Sequence, residues 1–241
     1  MSEAVESVVR TMQDRLDGLT PEQDHLREFL GTYQRTTLAV GKAVDAGEFE
    51  DPDWVERWDV AFAELYLAAL DAPIAPRPWR LAFSAPPELP PLRHVLLGIN
   101  AHVNYDLPQA LLAVIGDAEF GDAPLMASRQ RDHERIDAVL AARVGAEDVE
   151  LSASGKKTLL DRVLTPLNRL GSKRFLRESR QKVWHNTVEL HQARVAGETV
   201  YRTRLAELEV LSAARIADLL APGQVILRLA VAGFGVVLPP P

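Results

Sequence analysis

Apolar residues recur at three- and four-residue spacing along most of the chain, the pattern of helices that bury one face. Val5, Val8, Met12 and Leu16 share a face over residues 3–17, and Gly18 ends that run. Thr20-Pro21-Glu22-Gln23 then reads as a capping box with proline at the first helical position. The helix it opens is expected to reach Gly47, with Leu26, Phe29, Leu30, Tyr33, Leu38 and Val40 inward and a weak point at Thr36-Thr37. Asp51-Pro52-Asp53 repeats the device and starts a helix carrying Trp54, Trp58, Phe62, Leu65, Leu67 and Leu70. Residues 72–90 differ. Six of them are proline, a density expected to exclude helix and to favour a long, stiff, extended connection. Further helices are predicted over 92–115, 127–145, 156–170, 173–196 and 199–220, with breaks at 116–122 and 151–155. No stretch alternates with period two for long, and no 20–50-residue repeat is visible. The prediction is an all-α, single-domain, multi-helix bundle spanning 1–241. It has N-terminal helices in 1–47, a proline-rich connecting loop at 72–90, and a C-terminal tail at 222–241 packed on the bundle.

Composition narrows the function classes. The chain has 241 residues, 47% hydrophobic and 25% charged, with no cysteine. It can bury a real core without staples, and disulfides, thiolate zinc sites and a cysteine nucleophile are excluded. A net charge of -7 argues against a dedicated nucleic-acid binder. The basic run 156–182 is short of aromatic partners for stacking bases and is expected to complement the acidic stretch 45–59. The N-terminus lacks a signal-like apolar core, and the apolar run 225–238 is too short to span a membrane and carries Arg228. A cytoplasmic protein is the expectation, compatible with a homodimer. Only five of its 27 basic residues are lysine, which points to a GC-rich bacterial source.

The candidate chemistry lies in residues 92–115, LRHVLLGINAHVNYDLPQALLAVI. Leu92, Leu96, Ile99, Val103, Leu107, Ala110 and Val114 form one stripe, and Leu97, Ala101 and Leu112 cover the back. A helix apolar nearly all round belongs in the middle of a bundle. His102 and Asp106 flank the stripe one turn apart, and Asn100 and Asn104 flank it on the other edge. Polar groups there must be paired or used. A carboxylate one turn from an imidazole orients a general base, so His102 is the expected proton carrier and Asp106 its orienting partner. They are expected to face a hollow walled by leucines and tryptophans, with Asn100 and Asn104 polarising the substrate. Pro108 lacks the amide that would bond the Asn104 carbonyl. Asp59 and Tyr66, on one face of the preceding helix, together with Trp79, Trp184 and Asn186, are the candidate substrate-binding residues. The equally weighted alternative is a purely structural polar network.

The same spacing recurs in His133/Asp137 and His185/Glu189. Three such pairs could supply a divalent metal if their helices converged, although surface ion pairs give the same spacing. The nucleophile elbow, the phosphate loop and the dinucleotide-binding glycine motif are absent.

The run Leu97-Gly98-Ile99-Asn100-Ala101-His102-Val103-Asn104-Tyr105-Asp106-Leu107-Pro108-Gln109-Ala110-Leu111 resembles the signature of an uncharacterised, mainly actinobacterial family of all-helical proteins, a domain of unknown function with an N-A-H-[IV]-N-x-D-L-P block. The likeness extends to Asp59-Val60-Ala61-Phe62, Tyr66, Ala69-Leu70, Pro78-Trp79, Trp184 and Asn186. It implies an all-helical fold and a site at the central block. In that family the His102 position is typical while His94, His133, His185 and His191 are not, which weighs against the three-pair metal site. A fainter likeness links 102–112 to the helical zinc phospholipase C and nuclease group, but Pro108 and Leu112 stand where that group has ligand histidines.

Two classes of function follow. The first is an enzyme using acid/base chemistry on a small, largely apolar substrate without a cofactor, of cyclase, lyase, isomerase or hydrolase type, suited to natural-product metabolism. A metal-dependent hydrolase is its variant. The second is a non-catalytic ligand-binding or scaffold protein.

Overall fold

A computed structural model of the chain describes residues 1–152, 169–223, 233 and 235–240, with side chains in the helices around 153–168 described up to Val139, Asp137 excepted, and from Glu178 onward. Every regular element among the described residues is helical. The α-helices are α1 (Glu3–Asp17), α2 (Arg27–Asp45), α3 (Pro52–Asp71), α4 (Arg77–Phe83), α5 (Pro91–Ala101), α6 (Leu107–Val114), α7 (Ala123–Ser152), α8 (Arg169–Ala196) and α9 (Glu198–Leu220). Short 3-10 helices precede α2 (Pro21–Leu26) and α7 (Asp117–Gly121), and a π-helical turn (His102–Asp106) joins α5 to α6.

Local chemistry sets the starts of several helices. The Ser2 hydroxyl accepts the Val5 amide at the start of α1, and Asp51 Oδ1 accepts the Trp54 amide at 3.0 Å at the start of α3. The capping box at Thr20 is present, but it opens a 3-10 turn that passes into α2. α2 then runs without interruption through Thr36-Thr37. Those hydroxyls are turned back onto the helix or inward: Thr36 bonds the carbonyl of Thr32 at 2.9 Å, and Thr37 is buried.

The proline-rich segment corrects the expectation of an extended connection, because α4 lies inside it. Pro76 and Pro78 sit at the helix start, where a missing N–H leaves no bond unmade, and the next proline comes only after α4 has ended. α7 likewise runs further in both directions than the pattern predicts, to Ser152. The predicted helix at 156–170 and the break at 151–155 fall largely outside the described residues.

The continuous rod α5–π turn–α6 runs through the middle of the bundle. α5 contacts α2, α4 and α9, while α6 lies against α3 and α8. Trp54, Trp58, Tyr66, Trp79, Leu97, Leu107 and Leu111 are among the largest fully buried side chains. Gly98 lets α5 approach α2, since a Cβ there would lie 2.2 Å from Cγ of Phe29. The described part of the C-terminal tail packs on the bundle, with Leu238 fully buried against Tyr105, Leu112, Leu190 and Leu208.

The acidic stretch is tied to α7, while most of the basic run 156–182 expected to complement it lies outside the described side chains. Glu50 pairs with Arg131 and Arg135 of α7 at 2.8 and 2.9 Å, which holds its carboxyl down at about 2. Asp132, fully buried, accepts the backbone amides of Glu50 and Asp51, each at 2.8 Å. Arg129 bridges Asp51 and Glu119 and lies 5.0 Å from the ring of Trp54. Among the described residues, no helix is long and apolar enough to cross a membrane.

Candidate functional site

The π-helical turn follows from Pro108. Proline at this position cannot donate to the carbonyl of Asn104, and its ring would crowd that carbonyl in a regular α-helix. The backbone widens instead, and the Leu107 amide bonds the His102 carbonyl five residues back. Such single wide turns recur at functional sites. This one carries both members of the His–Asp pair.

His102 Nδ1 and Asp106 Oδ2 are 2.8 Å apart, and both side chains are buried. The same Oδ2 accepts the Trp79 indole N–H at 2.7 Å. Burial pushes the imidazole well below its ordinary pKa. It pushes the Asp106 carboxyl well up, with the indole N–H working against that rise. When Asp106 is ionised, Nδ1–H donates to it and Nε2 presents a lone pair. When Asp106 holds the proton, it donates to Nδ1 and Nε2 carries the hydrogen. In both forms Nε2, which has no hydrogen-bond partner, is the atom free to exchange a proton.

The expected hollow is not beside the imidazole. Phe62 lies flat on the ring, centroids 3.5 Å apart and planes 6° from parallel. Tyr33 meets it edge-on at 4.4 Å, and Phe29, Tyr66 and Trp79 complete a cage with centroids at 5.9, 5.8 and 5.7 Å. The wall is aromatic, where leucines and tryptophans were expected. Its rings come from α2, α3 and α4, so no single helix reveals it. Behind Phe29, Tyr66 and Trp79 lies a cavity of about 10 Å³, room for roughly one water, bordered also by His25, His94 and Gly98.

Around the pair, further buried polar atoms are unpaired. Oδ2 of Asp59, one turn before Phe62 on α3, has no partner. Burial, with the charge of Glu56 adding, raises the Asp59 carboxyl to about 7. On α2, the Tyr33 and Thr37 hydroxyls lie side by side without a well-directed hydrogen bond. Burial, then Asp59 and Asp106, hold the Tyr33 phenol well above its ordinary pKa. Tyr33 and Thr37 were read from sequence only as parts of a helix face or an interruption, and Phe62 only as part of a helix face and of the family likeness. The i,i+4 spacing of Tyr33 and Thr37 was the available signal.

The other sequence candidates are distributed differently. Tyr66 and Trp79 belong to the cage. Asn100 donates to the Leu96 carbonyl at 2.8 Å, and Asn104 donates to Asn100 Oδ1 at 3.3 Å. Asn104 Oδ1 in turn accepts the amide of Val236 in the C-terminal tail at 3.2 Å. Asn186 also binds the tail, and Trp184 stands 5.8 Å from the His133 ring, so neither touches the pair. The described members of the three His–acid pairs do not converge. Arg180 donates to His133 Nε2 at 3.2 Å, His185 Nε2 lies 3.3 Å from the Leu238 carbonyl, and Glu189 pairs with Arg204 at 2.7 Å. The side chain of Asp137 lies outside the described residues. Among the described residues, no three His, Cys, Asp or Glu side chains group to hold a metal.

A family model described as a family of unknown function (DUF5995) matches residues 5–222. No curated protein and no solved structure matches the chain.

Proposed function

We propose, for a chain that belongs to the DUF5995 family of unknown function, an acid/base enzyme that moves a proton on a small, largely apolar molecule at His102. Asp106 orients the imidazole, Trp79 fixes Asp106, and Asp59 is a second group able to hold or release a proton near neutral pH. The observation that carries the reading is the pair of buried acid/base atoms left without a partner, His102 Nε2 and Asp59 Oδ2. A network kept for packing alone is under pressure to satisfy all its members, since each unpaired group costs about 1–3 kcal/mol. Groups kept for a substrate stay unpaired until it arrives. In this reading the cage is the closed form. The substrate enters past Phe29, Tyr66 and Trp79, the three rings shared by the cage and the small cavity. A wall of rings suits an apolar substrate, and no redox cofactor is invoked.

The test is unbiased turnover. Wild-type protein and the His102→Gln and Asp106→Asn variants are incubated with a metabolite extract and followed by mass spectrometry. At least one compound is expected to be consumed by the wild type about 100-fold faster than by either variant, the scale of general acid–base catalysis. Equal consumption by all three, or none by the wild type, would overturn the reading. One observation favours a second reading, a scaffold in which the pair only locks helices: Phe62 fills the space a substrate would need. In that case Phe62→Ala lowers stability and opens no activity, whereas the enzyme reading expects it to retain or widen turnover.

A further inference from the structure

Residues 235–240 of the C-terminal tail are held chiefly by their main chain. Residues 235–240 run without helix or turn across a groove between α8, α9 and the π-helical turn. Asn186 works as a two-point clamp: its Nδ2 donates to the Val236 carbonyl at 3.0 Å and its Oδ1 accepts the Leu238 amide at 2.9 Å. Asn104 Oδ1 accepts the Val236 amide between them. Lys182 holds the Gly235 carbonyl at 3.2 Å and Arg204 the Pro239 carbonyl at 2.7 Å. His185 Nε2 stands 3.3 Å from the Leu238 carbonyl. Among residues 235–240 only one side chain is sunk deep: Leu238 is fully buried in its own small apolar cluster, while Val237 beside it is 44% exposed.

An amide side chain that bonds the carbonyl of one residue and the N–H of the residue two further on copies the pairing of a neighbouring strand. Main-chain bonds give such recognition its affinity, and a pocket for alternate side chains gives its selectivity. The groove is therefore built as a reader of extended peptide. Its residues Asn104, Lys182, Asn186 and Arg204 all lie within the family span 5–222, whereas the segment that fills it lies beyond that span.

We propose that this groove is a peptide-binding site and that residues 235–240 are its internal competitor. The ligand class is an extended segment of a partner protein, with free main-chain amides, a leucine for the pocket formed by Leu112, Leu190 and Leu208, and a following proline. The tail competes from an effective concentration on the order of millimolar, so a partner segment binds fully only when the tail is loosened.

The experiment uses the full chain and a fluorescently labelled synthetic peptide of residues 233–240, followed by anisotropy. Leu238→Asp loosens the chain's own tail, and Val236→Pro removes the amide that Asn104 accepts, as a second route should the first variant fail to fold. Either variant is expected to bind the peptide at least tenfold more tightly than the wild type, and adding Asn186→Leu is expected to abolish that gain. Equal binding by wild type and loosened variants, no saturable binding by the loosened ones, or no effect of Asn186→Leu would overturn the proposal. A doubled mass of the wild type by light scattering, lost in Leu238→Asp, would place the tail in a second copy of the chain and overturn the claim for a separate partner.

Discussion

Asp59 offers the sharpest test of the buried polar cluster. Its carboxyl is inside the protein, Oδ2 has no partner, and burial raises its pKa from the ordinary aspartate range to about 7. That rise, roughly three units, corresponds to about 4 kcal/mol. The folded protein holds this proton more tightly than the unfolded chain does. From about pH 4 to about pH 7 the unfolded state has released the proton and the folded state has not, so stability falls as pH rises. The penalty is absent below the unfolded pKa and complete above about pH 7. Asp59→Asn keeps the shape and cannot titrate. Between about pH 5 and about pH 8 the wild type is expected to lose about 2.5 kcal/mol relative to the variant, because part of the penalty is already present at the lower pH. Urea unfolding at the two pH values reads this as a change of about 1 M in the separation between the two midpoints. Comparing the two proteins at each pH removes the titration of His102, Asp106 and Tyr33, which both contain. Parallel stability curves, within about 0.5 kcal/mol across the range, would refute the reasoning. Asp59 would then be solvated or paired, and the site would lose its second proton-holding group.

Two further outcomes test the packing that carries the site. Gly98→Ala puts a Cβ 2.2 Å from Cγ of Phe29, so α5 or the ring must move; about 1–3 kcal/mol of stability should be lost, seen as a lower thermal midpoint. Asp132→Ala leaves the part-buried amides of Glu50 and Asp51 without their acceptor. A loss of about 2–4 kcal/mol is expected by chemical denaturation, whereas Arg131→Ala at the exposed side of the same cluster should cost less than about 1 kcal/mol.

The helical architecture and the central helix were legible because each rests on local signals. Thr20, Asp51 and the stripe through Leu96, Ile99, Val103 and Leu107 speak through neighbours within one or two turns. The His102–Asp106 bond was legible for the same reason. α4 was missed because proline density was weighed without position, and prolines at a helix start do no harm. The aromatic cage was not legible, since Phe29 and Tyr33 on α2, Phe62 and Tyr66 on α3 and Trp79 on α4 come together only in the packed bundle. Asn104 and Asn186 were recognised as special residues, but the tail they hold lies far along the chain from Asn104. The partners of the acidic stretch were hidden likewise: Glu50 reaches across to Arg131 and Arg135, and nothing near it in sequence announces them.

The indole of Trp79 gives the protein a built-in optical reporter. Its N–H ends on the same carboxylate oxygen that faces the imidazole, 2.7 Å away, and its ring stands 5.7 Å from His102. Indole emission responds to the charge of a neighbouring carboxyl and is quenched by a protonated imidazole. The brightness and colour of this one tryptophan therefore register where the shared proton sits. In a variant with Trp54, Trp58 and Trp184 replaced by phenylalanine, a spectrometer would follow each proton movement, and each arrival of a guest in the cage, without any attached dye.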